Sequence, residues 1–285
     1  MTGKKRYIAG ITVLVLFVGL LMRFHDEAGR LHRTPVLLPA KTVVMAGSTS
    51  MEKFANMLAE RYREMDPGMT VTAEFTGSSA GVQAVLVGRA DIGISSRTLT
   101  AAEKASGAVA YVIALDGIAV ITDVDNPVMT MTLKQLTDIY TGQIRNWKEL
   151  GGKEKPIVVV GREAGSGTRS AFEELLDIRD QCLYANELDS EGAVLARVAA
   201  TPGAVGYVSF GILDDTVNAL SLDGVKATEE KVKAGRYPLC RPFLMITKGE
   251  LEGQHRQVQE IFAYLQTEEG RELLRSAGLI VPDRS

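Results

Sequence analysis

The chain has 285 residues, 46% of them hydrophobic and 24% charged, which is enough sequence for one large domain or two medium ones with complete cores. A formal charge of −3, with the two signs interspersed, leaves no basic stripe for nucleic acid. Three scattered histidines and two distant cysteines show no zinc spacing, and the sequence lacks the G-x-x-x-x-G-K-[ST] of a P-loop.

The N-terminus comes first. Lys4, Lys5 and Arg6 precede an apolar run over residues 8–22, and Arg23 ends it. A basic region followed by an apolar one reads as an export signal over residues 1–23. As a helix the run reaches about 22 Å, short of the roughly 30 Å hydrocarbon core of a bilayer, which favours a signal over a stable span. No A-x-A-like cleavage pattern follows, and no cysteine is there for a lipid anchor, so an uncleaved N-terminal anchor stays open. Both versions place the body of the protein outside the cytoplasm, periplasmic or tethered to the outer face of the cytoplasmic membrane. Contact with the membrane is then made only through this segment. Residues 24–40, with Pro35 and Pro39 and no periodicity, read as a linker.

Three times a β-like run then breaks into a glycine/serine/threonine turn that opens an amphipathic helix. The first is residues 42–46, the turn Gly47-Ser48-Thr49-Ser50, and a helix from Met51 with Phe54, Met57, Leu58, Tyr62 and Met65 on one face. Thr49 and Glu52 have the spacing of a capping box, and Asp66-Pro67-Gly68 is a stop. The second is residues 70–75, the turn Gly77-Ser78-Ser79-Ala80-Gly81, and a helix from Val82 burying Val82, Val85 and Leu86. A short strand over 91–95 leads into Ser95-Ser96-Arg97. Residues 108–122 read as a buried strand interrupted only by Asp116-Gly117, and a carboxylate there needs partners. A helix over 133–140 ends at Thr141-Gly142. The third unit is residues 157–161, a turn from Arg162 to Thr168, and a helix from Arg169 with Phe172, Leu175 and Leu176 as its core face. A helix over 191–199, strands over 205–210 and 242–247, and helices over 258–265 and 269–277 complete the chain. Cys182 and Cys240 define no disulfide framework and read as separate thiols. Strands alternating with helices predict an α/β fold with mostly parallel sheets.

The first turn of a helix offers unpaired N–H groups and a positive dipole end, and small hydroxyl residues add donors. In open α/β sheets ligands sit beyond the carboxyl ends of strands, where all three turns lie. Together with Arg162 they point to a pocket for a small oxyanion. A guanidinium clamps two oxygens of a tetrahedral anion, and Arg162, following a buried strand, is expected to face the cleft as the only strong cation on the ligand. Arg169 reads equally well as a solvated surface charge. Arg97 either joins the site or forms an ion pair with Asp116 or another nearby acid. Gly77–Gly81 also matches the G-x-S-x-G of serine hydrolases, with Ser79 as nucleophile, but the only later histidine is His255 in a polar stretch. A hydrolase is the weakest alternative, and no catalytic residue is expected.

Several of these segments come in the order of a known family. They are Gly47-Ser48-Thr49-Ser50, Gly77-Ser78-Ser79-Ala80-Gly81, residues 90–97 (ADIGISSR), Ala114-Leu115-Asp116-Gly117, and Ile139-Tyr140-Thr141-Gly142 with Asn146-Trp147. Residues 162–169 (REAGSGTR), residues 203–211 (GAVGYVSFG), and Tyr237-Pro238 with Arg241-Pro242 complete the set. Together they resemble the substrate-binding protein of phosphate ABC transporters (PstS-type) over about residues 42–285. The resemblance implies a two-lobed periplasmic-binding-protein fold of type II with a ligand cleft between the lobes. Residues 41–115 and 241–285 would form one lobe and 116–240 the other. The family's phosphate contacts fall on Thr49, Ser50, Ser78, Arg162, Ser166, Gly167 and Thr168. Where one branch of the family has an aspartate in the strand-end turn, this chain has Ser96, followed by Arg97. Asp116 is the candidate to supply that carboxylate and to accept the proton that phosphate carries and sulfate lacks. The implied protein is not an enzyme and needs no cofactor or metal. It captures inorganic phosphate and delivers it to an ABC permease. Sulfate, molybdate or tungstate as ligand, and a membrane-tethered phosphate-sensing subunit, are the alternatives.

Overall fold

A computed structural model describes residues 41–282; the signal, anchor and linker readings over residues 1–40 lie outside them. The chain begins with three parallel strands, β1 (Lys41–Gly47), β2 (Met69–Glu74) and β3 (Ile92–Ser95), in the order β2-β1-β3. Helices α1 (Glu52–Met65) and α2 (Ser78–Leu86) connect them, and α3 (Ala101–Ala105) follows. Next comes β4 (Ala108–Asp123), whose second half is fully buried, as its apolar sequence requires. After it the chain forms β5 (Thr130–Met131), α4 (Leu133–Tyr140), β6 (Val158–Arg162), α5 (Gly167–Leu175), β7 (Asn186–Leu188), α6 (Glu191–Ala200) and β8 (Ala204–Ser209). The last elements are β9 (Val217–Ala219), β10 (Ser221–Leu222), α7 (Glu229–Lys233), β11 (Cys240–Lys248), α8 (Arg256–Leu265) and α9 (Glu268–Ser276).

The sheet is mixed rather than mostly parallel. Its order is β2-β1-β3-β11-β4-β8-β6-β7, with β9 also on β4. The pairs β1–β2, β1–β3, β6–β7 and β6–β8 are parallel, as sheets built with helical crossovers are. At the centre, β11 runs antiparallel to both β3 and β4, and β4 runs antiparallel to β8. β4 is one continuous strand. Its first half pairs with β11, and residues 118–122 pair with β8.

Two large apolar cores lie on either side of this crossing. Met45, Phe54, Leu58, Ile94, Met245 and Ile261 belong to the first, and Ile118, Tyr140, Trp147, Phe172 and Tyr207 to the second. No helix among the described residues is long and apolar enough to cross a membrane. Cys182 and Cys240 are free thiols.

The helix starts differ from the sequence reading. Thr49 forms no capping box; a short 3-10 turn, Thr49–Met51, precedes α1, and no side chain caps it. The second and third helices begin earlier than expected, at Ser78 and Gly167, so Ser78, Ser79 and Thr168 are themselves first-turn residues and Ser166 is the N-cap. Met65 and Leu175, counted on core faces, are 46% and 41% exposed because they close their helices beyond the packed stripe. Gly81 shows how closely α2 lies on β1: a Cβ there would stand 2.4 Å from the Ala46 carbonyl oxygen and 2.4 Å from the Gly47 Cα. Both obstacles are backbone and cannot rotate away. Gly81→Ala is therefore expected to lower stability by about 1–3 kcal/mol, the usual cost of overpacking, read as a shift in urea midpoint. An unchanged midpoint would show that α2 can slide on the strand.

Candidate functional site

The carboxyl ends of β1, β3 and β6 bring the polar turns to one place. Ser48 Oγ donates to Ser96 Oγ at 2.9 Å, and the Ser96 N–H donates to Ser78 Oγ at 3.1 Å. Facing them across the cleft is Gly167, where a Cβ would lie 2.1 Å from Ser78 Oγ and 2.6 Å from Ser96 Oγ. Only a residue without a side chain lets the first turn of α5 approach that of α2 so closely. Ser166 is buried and caps α5 by accepting from the Arg169 N–H at 3.3 Å.

Arg162, at the end of β6, is 1% exposed. Its Nε donates to the Leu188 carbonyl at 3.1 Å, and its Nη2 donates to the Asp189 carbonyl at 2.8 Å and to Thr49 Oγ1 at 3.2 Å. Glu163 closes the same edge of the fork with contacts of 3.0 and 3.2 Å. Nη1 is buried and has no hydrogen-bond partner. Leaving such a donor unpaired costs about 1–3 kcal/mol or more for a charged group, so an acceptor is wanted at that position.

Asp116 is 1% exposed and sits opposite Arg241 in the antiparallel register of β4 and β11. Its Oδ2 accepts from Arg241 Nε at 2.8 Å and lies 2.7 Å from Nη2, while Oδ1 accepts from Ser209 Oγ at 2.7 Å. Its partner is thus Arg241, not Arg97. Arg97 instead pairs with Glu103 at 2.7 Å and donates to Ser79 Oγ at 3.1 Å. Arg169 pairs with Glu173 and Glu187 and lies over the Tyr184 ring, so it is neither a ligand arm nor a free surface charge.

Four residues that sequence reasoning did not assign to the site join it: Ser48, Glu191, Ser209 and Arg241. Glu191 stands in the first turn of α6 and is 3% exposed. Its Oε1 accepts from Ser50 Oγ at 2.7 Å and from Thr168 Oγ1, and Oε2 accepts from the Ser209 N–H at 3.0 Å. Arg241 Nη2 lies 3.4 Å from both Ser50 Oγ and Glu191 Oε1, so a second buried guanidinium stands beside Arg162. An acidic residue after Ser190 reads in sequence as ordinary helix-dipole complement, which hides Glu191. Arg241 was visible only as part of the Arg-Pro pair.

The two carboxylates titrate in opposite directions. Burial pushes Asp116 up to about 6, against the pull of Arg241 and helped by the charge of Glu191. Burial would also raise Glu191, but Arg241, the hydroxyls of Thr168 and Ser50, and Arg162 outweigh it and hold it below the usual carboxylate value. A cavity of about 360 Å³ lined by Thr49, Ser50, Lys53, Glu191 and Ser209, among others, opens beside the cluster. Among the described residues no group of three or more His, Cys, Asp or Glu could hold a metal ion. Among the described residues, the Ser79 hydroxyl accepts from Arg97, and the His255 ring lies elsewhere, against Gln257 and Asp91.

A family model described as a PBP superfamily domain matches residues 36–269. The phosphate-binding protein PstS of Bacillus subtilis is 36% identical over 234 residues, 80% of this chain and 76% of that protein. This chain belongs to the PstS-type family of the PBP superfamily. A phosphate ABC transporter substrate-binding protein from Clostridium perfringens, solved with bound phosphate, superposes with a TM-score of 0.81 at 38% identity, covering 85% of this chain and 100% of that one. An ABC-type phosphate transport receptor from Vibrio cholerae gives 0.73 at 33% identity, covering 84% and 100%. The family fold is two-lobed, in agreement with the two cores.

The raised value of Asp116 has a consequence for stability. In the folded chain Asp116 holds its proton to about pH 6, against an ordinary value of 3.8. Folding then favours the protonated form. That contribution is complete below about pH 4 and is lost as pH rises through about 6, at most about 3 kcal/mol in all. The stability of the native protein minus that of Asp116→Asn should fall across this window in urea titrations at pH 4, 5, 6 and 7. Parallel curves would mean that Asp116 does not titrate there.

Proposed function

We propose that this chain is an exported binding protein that captures inorganic phosphate between its lobes and hands it to an ABC permease. The observation that carries this reading is the buried Nη1 of Arg162, which makes no hydrogen bond and stands 3.9 Å from Glu191 Oε1. It is set among the hydroxyls of Thr49, Ser50 and Thr168, with those of Ser78 and Ser96 against the first turn of α5. The first turns of α2 and α5 add backbone N–H groups and their dipoles, and Ser166 and Gly167 shape the second of them. Asp116, held by Arg241 and Ser209, is the acceptor for the proton that phosphate carries at neutral pH and sulfate lacks.

The choice of phosphate among tetrahedral oxyanions is supported by the names of the relatives, one of them solved with phosphate bound. The lobe boundaries that fit this reading are 41–115 with 241–285, and 116–240. The division of the cores supports them, and β4 and β11 would be the connections about which the lobes close. The protein would work outside the cytoplasm, at the outer face of the membrane that holds the permease. It would do no chemistry on its ligand.

Calorimetry of the purified protein with phosphate, sulfate and molybdate is the test. Phosphate should bind, with sulfate weaker by about 10⁴-fold where the site is dry. Arg162→Ala should lose about 2–5 kcal/mol of phosphate affinity, the cost of truncating one side of a buried charged contact, and Arg169→Ala far less. Equal losses at both arginines would move the clamp away from Arg162, and tighter binding of sulfate or molybdate would replace phosphate as the ligand.

A further inference from the structure

We propose that Glu191 is a built-in competitor of the bound anion, holding with its own carboxylate the hydroxyl donors that the anion needs. This rests on the phosphate reading above. Three of the donors assigned to phosphate converge on one atom, Glu191 Oε1. Ser50 Oγ lies 2.7 Å from it, Thr168 Oγ1 is hydrogen-bonded to it, and Arg162 Nη1 stands 3.9 Å away. Ser50 and Thr168 are also 2.9 Å from each other, so the carboxylate oxygen sits at the point where their donor directions meet.

A hydroxyl has a single proton to give. While Ser50 and Thr168 donate to Glu191, neither can donate to a phosphate oxygen. Phosphate can take these donors only as Glu191 gives them up. Charge points the same way. Two guanidiniums, Arg162 and Arg241, face two carboxylates, Asp116 and Glu191, all of them buried. With Glu191 in place these four groups offer an incoming anion no net positive charge, and Glu163 on Arg162 adds a further negative one. Withdrawing Glu191 removes one of the negative charges that oppose the anion. Withdrawal has somewhere to go: Glu191 lines the cavity of about 360 Å³ beside the cluster, and Lys53 of α1 lines it too. The donors alone would bind the anion more tightly than the protein does, and the competing carboxylate lowers that affinity towards a value from which the ligand can be released.

The test compares the full-length protein with Glu191→Ala and Glu191→Asp by calorimetry with inorganic phosphate, after phosphate has been stripped by dialysis. Glu191→Ala should bind phosphate about ten-fold or more tightly than the native protein, since one competing charge-assisted contact is worth roughly that much. Glu191→Asp keeps the charge but is one methylene short of Ser50 and Thr168, so it should also bind more tightly, by a smaller factor. Weaker binding in Glu191→Ala would overturn the proposal and make Glu191 a direct acceptor for the phosphate proton. An Asp variant indistinguishable from the native protein would overturn it as well, leaving only a through-space charge effect. Thermal melts report folding, and the Asp variant decides if the Ala variant does not fold. Native protein that binds no phosphate at all would instead sink the phosphate reading.

Discussion

Two guanidiniums are buried together, Arg162 at the end of β6 and Arg241 at the start of β11, and the surrounding structure is arranged to make that tolerable. A buried charge is expensive unless it is paired and hydrogen-bonded. Arg162 takes the Asp189 carbonyl, just past the end of β7, and shares the Leu188 carbonyl with the Glu163 N–H. Arg241 takes Asp116, which is in reach because β4 and β11 run antiparallel in one register. The central crossing of the sheet is therefore also the electrostatic support of the site. Moving either strand by one residue would turn Asp116 or Arg241 to the opposite face.

The close packing around the site depends on what two helices lack. Gly167 presents no side chain to Ser78 and Ser96, and Gly81 presents none to β1. Without side chains at these two contacts, helix starts rather than bulky side chains stand beside the site. The donors they expose are backbone N–H groups and short hydroxyls with little rotameric freedom to lose. Donors already in position need little ordering when a ligand arrives.

The paired carboxylates show how a neutral arrangement can still be uneven. Ser209 touches both, its hydroxyl on Asp116 and its N–H on Glu191, and Arg241 touches both as well. Yet burial raises Asp116 while the donors around Glu191 hold it low. Glu191 gathers two hydroxyls, a backbone N–H and two arginines, whereas Asp116 has one arginine and one hydroxyl against the repulsion of its neighbour. In an enzyme such a split would assign acid and base roles. Here it makes Asp116 the carboxylate that takes up a proton first as pH falls through about 6, while Glu191 stays charged to lower pH.

Much of the architecture is legible in the sequence because it is local. The three strand–turn–helix units, the apolar run of β4 and most helix ends follow from periodicity and turn chemistry within short windows, and the family follows from ordered motifs. The hydroxyl turns, Arg162 and the need of Asp116 for partners are read the same way. Helix starts were misplaced where one residue type serves two purposes. Thr49 has capping spacing but gives its oxygen to Arg162, and Ser78 belongs to the helix it was expected to precede. The tertiary structure alone decided which charges meet. Arg241 reaches Asp116 through the pairing of strands far apart in sequence, and Glu191 enters the cluster because α6 brings its first turn to Ser50, Thr168 and Ser209. Local patterns determine which groups a segment offers; the long-range register of β4 and β11 determines which of them share a low-dielectric space, and no window of sequence contains that register.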